Sequence, residues 1–363
     1  MQAFEEAFAA YQDARYGVTC ASGTVALRLA ILAAGVGEGD EVIVPPYTFV
    51  ATASAVAEAN CVPVFADIEP DTYNIAPAAI EAAITPRTRA IIPVHFAGQA
   101  AEMDQIMAIA RRHGLVVIED AAHAHGAAYQ GRKLGAIGDV GCFSFQSSKN
   151  LTAGEGGMIL TDSESYERLC RSLHNCGRLP EGVWYEHHIL GGNYRMTEFQ
   201  GALLLAQLAR LEAQTAIRAA NGQYLNARLA EIPGIWPLTR GHGETRHSYH
   251  LYIFRYDPEA YDGVPRDRFL AALRAEGIPC SAGYPIGLYA QPLFADRAFD
   301  PFGGARRGRP ELSYHPAAFP VCEQACREAC WFSQPMLLGT QKDMDDIVAA
   351  IWKVYEHREA LKT

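Results

Sequence analysis

The chain has 363 residues, 49% of them hydrophobic and 20% charged, and 31 Lys and Arg against 41 Asp and Glu leave a formal net charge of −10. That length allows two domains, or one large domain with an appendage, around a sizeable core. The acidic balance works against nucleic acid or an anionic membrane surface as a partner. No apolar run reaches the roughly 18 residues of a membrane-spanning helix, and nine scattered cysteines fit the reduced thiols of a cytoplasmic protein better than a disulfide framework.

The opening "MQAFEEAFAAYQDARYG" predicts an amphipathic helix with acid in its first turn and lacks the apolar centre of a secretory leader. In "CASGTVALRLAILAAG", Ser22, Gly23 and Thr24 precede a strong helical run. Backbone N–H groups and two hydroxyls converging on a helix N-terminus suit a phosphate monoester, although the same residues also make a plain N-cap. No GxGxxG or Walker pattern competes for the phosphate.

"DEVIVPPYTF", "CVPVFADI", "RAIIPVHF" and "GLVVIEDAAH" each hold a short β-branched run ending in polar or turn residues, and "AAIEAAI" and "MDQIMAIARRHG" read as helices between them. The pattern predicts an α/β domain whose mostly parallel sheet is covered on both faces. Ligands of such sheets sit beyond the carboxyl ends of the strands, which directs attention to Tyr47-Thr48-Phe49, Asp67, His95, Asp120 and His123. Asp120 is placed to pair with a cation such as a pyridinium nitrogen or, equally, to cap a helix. In "GCFSFQSSKNLTAGEGGMIL" a single lysine, Lys149, follows Ser144 in a segment otherwise fit for burial. Desolvating its ammonium costs several kcal/mol, so it either reaches water or is kept for chemistry.

From Thr197 a long amphipathic helix is expected, opened by a Thr197/Gln200 capping box. "EIPGIWP" breaks it, and the domain boundary is placed there: a large domain over 1–234 and a small C-terminal α+β domain over 235–363. The latter should hold the strand "YHLYIFRY", the helix "RDRFLAALRAEGI", a helix carrying Cys322, Cys326 and Cys330 on one apolar face, and a terminal helix from about Thr340. The Gly- and Arg-rich "RAFDPFGGARRGRPELSYHP" reads as a long loop.

A phosphate cradle, a carboxylate for a ring nitrogen and a lysine able to form a Schiff base together describe a site for pyridoxal 5'-phosphate (PLP). Burial and a nearby cationic centre would disfavour the ammonium form of Lys149 and make it the better nucleophile.

The segments "ASGTVALRLA", "DEVIVPPYTFVATASAV", "FADIEPDTYNI", "IIPVHFAGQ", "VIEDAAHAHGA", "GDVGCFSFQSSKNLTAGEGGMILTD" and "GGNYRMTEFQGALLLAQL" run over nearly the whole chain. Together they resemble the DegT/DnrJ/EryC1/StrS aminotransferases, fold-type-I enzymes that aminate keto sugars or keto cyclitols. The resemblance implies a large domain with a seven-stranded sheet and a ping-pong reaction through pyridoxamine phosphate (PMP), with L-glutamate or L-glutamine as amino donor. Lys149 would be the Schiff-base lysine and proton carrier, Asp120 the partner of the pyridinium nitrogen, and His123 a neighbour of the ring or its phenolic oxygen. Phe49 would stack on the ring, and Gly23, Thr24 and Ser144 would hold the phosphate. Asn193 would reach the phosphate bound in a neighbouring subunit, which implies a homodimer with shared sites.

Tyr284, Tyr289 and Arg195 are candidate substrate contacts; His174 and Arg178 could also line the site, whereas His187 and His188 read as loop residues. Relatives usually carry some tens of residues before "FEEAFAAYQDARYGV"; this chain starts just inside that stretch, and the difference bears on substrate affinity and dimer stability. Sugar-nucleotide aminotransferases often show histidine near Tyr289, and the tyrosine leans the reading toward a cyclitol or small cyclic ketone. Two rivals differ in kind: a PMP-dependent sugar dehydratase of the same fold, in which histidine replaces the lysine, and a non-catalytic regulatory homologue.

Overall fold

A computed structural model describes residues 1–296 and 314–362. The first part runs α1 (Gln2–Tyr11), β1 (Tyr16–Cys20), α2 (Gly23–Ala33), β2 (Glu41–Val44), α3 (Ala51–Glu58), β3 (Val62–Phe65), α4 (Pro77–Ala83), β4 (Thr88–Ile91), α5 (Met103–His113) and β5 (Val116–Asp120). It continues through β6 (Ala128–Tyr129), β7 (Arg132–Lys133), β8 (Val140–Ser144), β9 (Gly157–Thr161), α6 (Glu164–His174) and the 32-residue α7 (Glu198–Leu229). Then follow β10 (Ile235–Pro237), β11 (Glu244–Arg246), β12 (Leu251–Tyr256), α8 (Arg266–Ala275), β13 (Ser281–Ala282), α9 (Pro292–Ala295), α10 (Pro320–Glu328), β14 (Ala329–Ser333) and α11 (Gln341–Glu356).

Seven strands form one sheet in the order β1-β9-β8-β5-β4-β2-β3, in which only β9 runs against its neighbours. The expected α/β architecture is therefore present, and the near-continuous apolar runs have their reason: both faces are covered. Val42, Val44, Ile118 and Cys142 point into a core shared with α2 and α3, while Ile43, Val117 and Phe143 point into a second core with Phe4 and Phe8 of α1, Ile106 of α5 and Leu204 of α7. Consecutive residues of one strand thus serve opposite cores.

A four-stranded antiparallel sheet, β10-β12-β14-β13, builds a third core in which Phe254, Phe269, Phe332 and Ile351 meet Leu225 and Leu229 from the end of α7. At the start of that long helix the backbone N–H of Thr197 donates to Gln200 Oε1 at 2.9 Å, the capping-box contact expected there. Thr340 caps α11 in the same manner, with Asp343 in the reciprocal role.

The thiol helix is shorter than expected. It ends at Glu328, the chain turns extended at Ala329, and Cys330 lies on β14. Cys322 and Cys326 pack into the core of the large sheet, whereas Cys330 belongs to the core of the small one, so the three thiols do not share one face. Of the expected 297–316 loop, residues 297–313 lie outside the described ones. No helix among the described residues is long and apolar enough to cross a membrane.

Candidate active site

Beyond the carboxyl ends of the central strands lies a cavity of about 490 Å³. Ten of the residues singled out in the sequence line it: Ser22, Gly23, Thr24, Thr48, Phe49, Asp120, His123, Ser144, Lys149 and Tyr284.

The N-terminus of α2 forms one end. Ser22 is its N-cap, in extended conformation, and its Oγ accepts from the N–H of Val25 at 3.3 Å. The first amides of a helix have no partner within it, so this end offers donors and the positive pole of the helix dipole to an anion. Gly23 is needed for close approach: a Cβ there would lie 2.8 Å from Cβ of Ser144, the last residue of β8.

Asp120 ends β5 and is buried. Its Oδ2 accepts from Thr52 Oγ1 at 2.8 Å and its Oδ1 from the N–H of Ala122 at 3.2 Å. Burial raises its pKa, against the opposing pull of these two donors and of the Lys149 charge. Both bonded donors are neutral, which leaves the carboxylate able to take a cation.

Lys149 sits on an excursion of the β8–β9 hairpin. The excursion is closed at its base by Phe145 N–H to Gly156 O (2.9 Å) and Ala153 N–H to Phe145 O (3.0 Å), and Lys149 N–H donates to Gln146 O at 2.9 Å. Gly156 has φ of 144°, a conformation side chains rarely adopt, and a Cβ there would meet Met196 Sδ at 2.7 Å. Burial lowers the Lys149 pKa to about 8, with Asp120 pulling the other way. At neutral pH the amine is therefore within reach by loss of one proton.

His123 Nδ1 accepts from the N–H of Ala97 at 3.2 Å, so its ring hydrogen is on Nε2. Its ring lies 4.2 Å from that of His250, and burial, with the Lys149 charge nearby, holds both imidazoles neutral, well below the usual histidine pKa. Phe49, 57% exposed, stands at the cavity surface.

Five candidates lie elsewhere. Tyr289 is fully buried, stacked on Phe319 at 4.3 Å with its hydroxyl bonded to Glu323, so it fills the core and is not a cavity wall. Asn193 and Arg195 are exposed and outside the cavity of this chain; Arg195 Nη1 donates to Asn175 Oδ1 at 2.7 Å. His174 and Arg178 line a separate cavity of about 470 Å³ with Trp184. His187 and His188 are exposed, the first bonded to Cys176 O at 2.7 Å, the second 3.4 Å from Glu186. Of the other strand-end residues, His95 pairs with buried Glu119 at 2.8 Å, and Asp67 accepts the N–H groups of Val321 and Cys322 at the start of α10. Both are structural.

Sequence reasoning missed Thr52, His250 and Trp331. Thr52 sits one helical turn after Thr48, a repeat visible in "TFVATASAV". His250 immediately precedes β12, and Trp331, on β14, meets Tyr284 edge-on at 5.3 Å to form an aromatic wall.

Comparisons with known proteins assign the chain to a family. The profile of the DegT/DnrJ/EryC1/StrS aminotransferase family matches residues 1–352. An L-glutamine:2-deoxy-scyllo-inosose aminotransferase of Streptoalloteichus tenebrarius is 41% identical over 373 residues, covering 99% of this chain and 87% of that protein. A pleiotropic regulatory protein of Geobacillus stearothermophilus is 40% identical over 356 residues, covering 97% of this chain and 88% of its own. The crystal structure of 3-amino-5-hydroxybenzoic acid synthase superposes with a TM-score of 0.88 at 33% identity, covering 98% of this chain and 90% of that one. NtdA from Bacillus subtilis, solved with bound cofactor PMP, gives 0.82 at 28% identity over 98% and 77% of the two chains. The chain belongs to the DegT/DnrJ/EryC1/StrS family and is an aminotransferase.

Proposed function

We propose that this chain binds PLP in the cavity described and transfers an amino group from L-glutamine or L-glutamate to a keto cyclitol, with keto sugars as the alternative acceptors. The observation that carries the reading is the convergence of Lys149, Asp120 and the N-terminus of α2 on one cavity. The fit to the cofactor is supported by three features: a helix terminus whose Gly23 lets Ser144 close in on an anion, a buried carboxylate with only neutral bonded donors, and a lysine whose ammonium is destabilised. The cyclitol is favoured by the name of the S. tenebrarius relative, and by a lining in which Lys149 is the only lysine or arginine among the described residues, a poor match for a nucleotide diphosphate.

When bound, PLP supplies an electron sink conjugated to the reacting carbon. The chain supplies the rest. Ser22, Gly23, Thr24 and Ser144 would hold its phosphate, Asp120 would keep a proton on its ring nitrogen, and Phe49 and neutral His123 would lie against its ring. Lys149 would be the nucleophile toward it and would carry a proton at Nζ in both halves of the cycle. Tyr284 and Trp331 wall the acceptor side. The lysine favours transamination over the dehydration for which family members carry histidine.

The reading extends to a homodimer. Val183, Trp184, Tyr185, Leu190 and Phe199 are exposed apolar side chains in the same stretch of chain as Asn193 and Arg195, which suits a second copy receiving these two residues near its own site. A small domain from about residue 235 and a cytoplasmic location complete it.

The test is the visible spectrum of the protein with PLP before and after L-glutamine or L-glutamate, without acceptor. Appearance of the Schiff-base band and its conversion to the pyridoxamine form is expected; a band that never forms overturns the assignment of Lys149.

A further inference from the structure

His250 has no part in the site as read from the sequence, yet its surroundings fix its chemistry. Asn150 Nδ2 donates to the carbonyl of Ser248 at 2.8 Å, which orients the amide and leaves Asn150 Oδ1 as an acceptor only. His250 Nδ1 lies 3.3 Å from that oxygen and must therefore carry the ring hydrogen. The lone pair is then on Nε2, which has no hydrogen-bond partner among the described residues and is not among the buried side-chain atoms sealed from solvent without one. The ring is 6% exposed and lines the cavity. It lies against His123, whose tautomer is the opposite one, with Nε2–H. The same Asn150 follows Lys149 directly, so the device that sets the His250 tautomer also anchors the segment carrying the lysine.

A neutral acceptor lining a cavity needs a donor from any ligand that displaces water from it. A lone pair repels the α-carboxylate of an amino donor and suits a hydroxyl. Glu155, also in the lining, adds acceptor character to the same cavity.

We propose that His250 is a specificity residue for the acceptor half-reaction, its Nε2 accepting a hydrogen bond from a ring hydroxyl of the cyclic ketone. The proposal rests on the aminotransferase reading above and deepens it: the substrate class is a polyhydroxylated cyclic ketone, recognised through its hydroxyls.

The test compares His250→Gln with His250→Met, two side chains of nearly equal size that differ in the acceptor oxygen. Holoenzyme is converted with L-glutamine, and its return is followed with 2-deoxy-scyllo-inosose or with cyclohexanone, which has no hydroxyl. The Met variant should lose about tenfold in kcat/KM for the polyol ketone, mostly through KM, and the Gln variant should recover most of it. Cyclohexanone should react equally with both variants, and the donor half-reaction should differ between them by less than about twofold. His250→Phe, which keeps a ring against His123, should resemble Met. Equal losses for both ketones, or an effect confined to the donor half, overturn the proposal. Wild-type enzyme that L-glutamine and L-glutamate never convert overturns the aminotransferase reading itself and the proposal with it.

Discussion

The two sides of the cavity differ in how they are built. The reactive side consists of residues that close strands or open helices of one sheet: Asp120 at the end of β5, Ser144 at the end of β8, Lys149 in the hairpin after it, and Ser22 to Thr24 where β1 passes into α2. The recognition side is assembled from separate pieces: Tyr284 after β13, Trp331 on β14, and His250 and Leu251 at the start of β12. Chemistry sits where the backbone of a rigid sheet fixes it, and recognition where elements distant in sequence meet. Substitutions on the first side should abolish or slow both half-reactions, while those on the second should change which ketone is taken.

The largest effect is expected at Lys149. On the proposed function Lys149→Ala removes the nucleophile and the proton carrier together, so covalent cofactor should vanish from the spectrum and turnover should fall by more than about 10³-fold. Retained transamination would overturn the site. Next comes Asp120→Asn, which keeps the contacts of Thr52 and Ala122 within reach but removes the charge proposed to hold a ring proton. A loss of about 10²-fold in both half-reactions is expected, with cofactor still bound. A loss confined to one ketone would move Asp120 to the recognition side and erase the distinction.

Gly23→Ala tests the cradle. Its Cβ would come 2.8 Å from Cβ of Ser144, and neither atom belongs to a flexible chain end, so α2 or β8 must shift. Stability should drop by about 1–3 kcal/mol by thermal or denaturant unfolding, and cofactor affinity should fall by more than the polyol preference changes. An unchanged dissociation constant for PLP would remove α2 from the phosphate site.

The reactive side was legible in the sequence because its determinants are local: an apolar run, then a polar residue at its end, with the strand topology needing only the alternation of strands and helices. Tyr289 shows the limit of that approach. It lies near Tyr284 in "SAGYPIGLYAQPLF", yet the short helical turn at Leu288–Ala290 turns it onto Phe319, into the core. Cys330 shows another: helical spacing from Cys322 holds only while the helix continues, and the chain leaves it at Ala329. Thr52 was hidden because its partner Asp120 is 68 residues away, and His250 because its tautomer depends on Asn150 and Ser248. Such pairings are made by the fold and leave no periodic trace.

Thr52 offers a finer test of the reactive side. Thr52→Val keeps the shape and removes the hydroxyl that Asp120 accepts at 2.8 Å, while Thr52→Ser restores it. The Val variant should lose about tenfold in both half-reactions, with Ser close to wild type and with no change in the ratio between polyol ketone and cyclohexanone. A change in that ratio would show that orienting Asp120 also shapes the acceptor pocket.

The smallest effect concerns pH. Burial places the Lys149 pKa at about 8, below its ordinary value, so the ammonium form dominates below that pH and the free amine above it. Only the amine attacks an aldehyde. The rate at which the apoprotein captures PLP should therefore rise about tenfold between pH 7 and pH 9 and then level off, and an unburied lysine would instead keep rising toward pH 10. Asp120 opposes the shift, so Asp120→Asn should move the midpoint of this rise downward, and His250→Met, on the recognition side, should leave it in place. A midpoint that follows His250 and ignores Asp120 would mean that the imidazole pair, and not the carboxylate, sets the charge on the lysine, and the two sides of the cavity would then be one electrostatic unit.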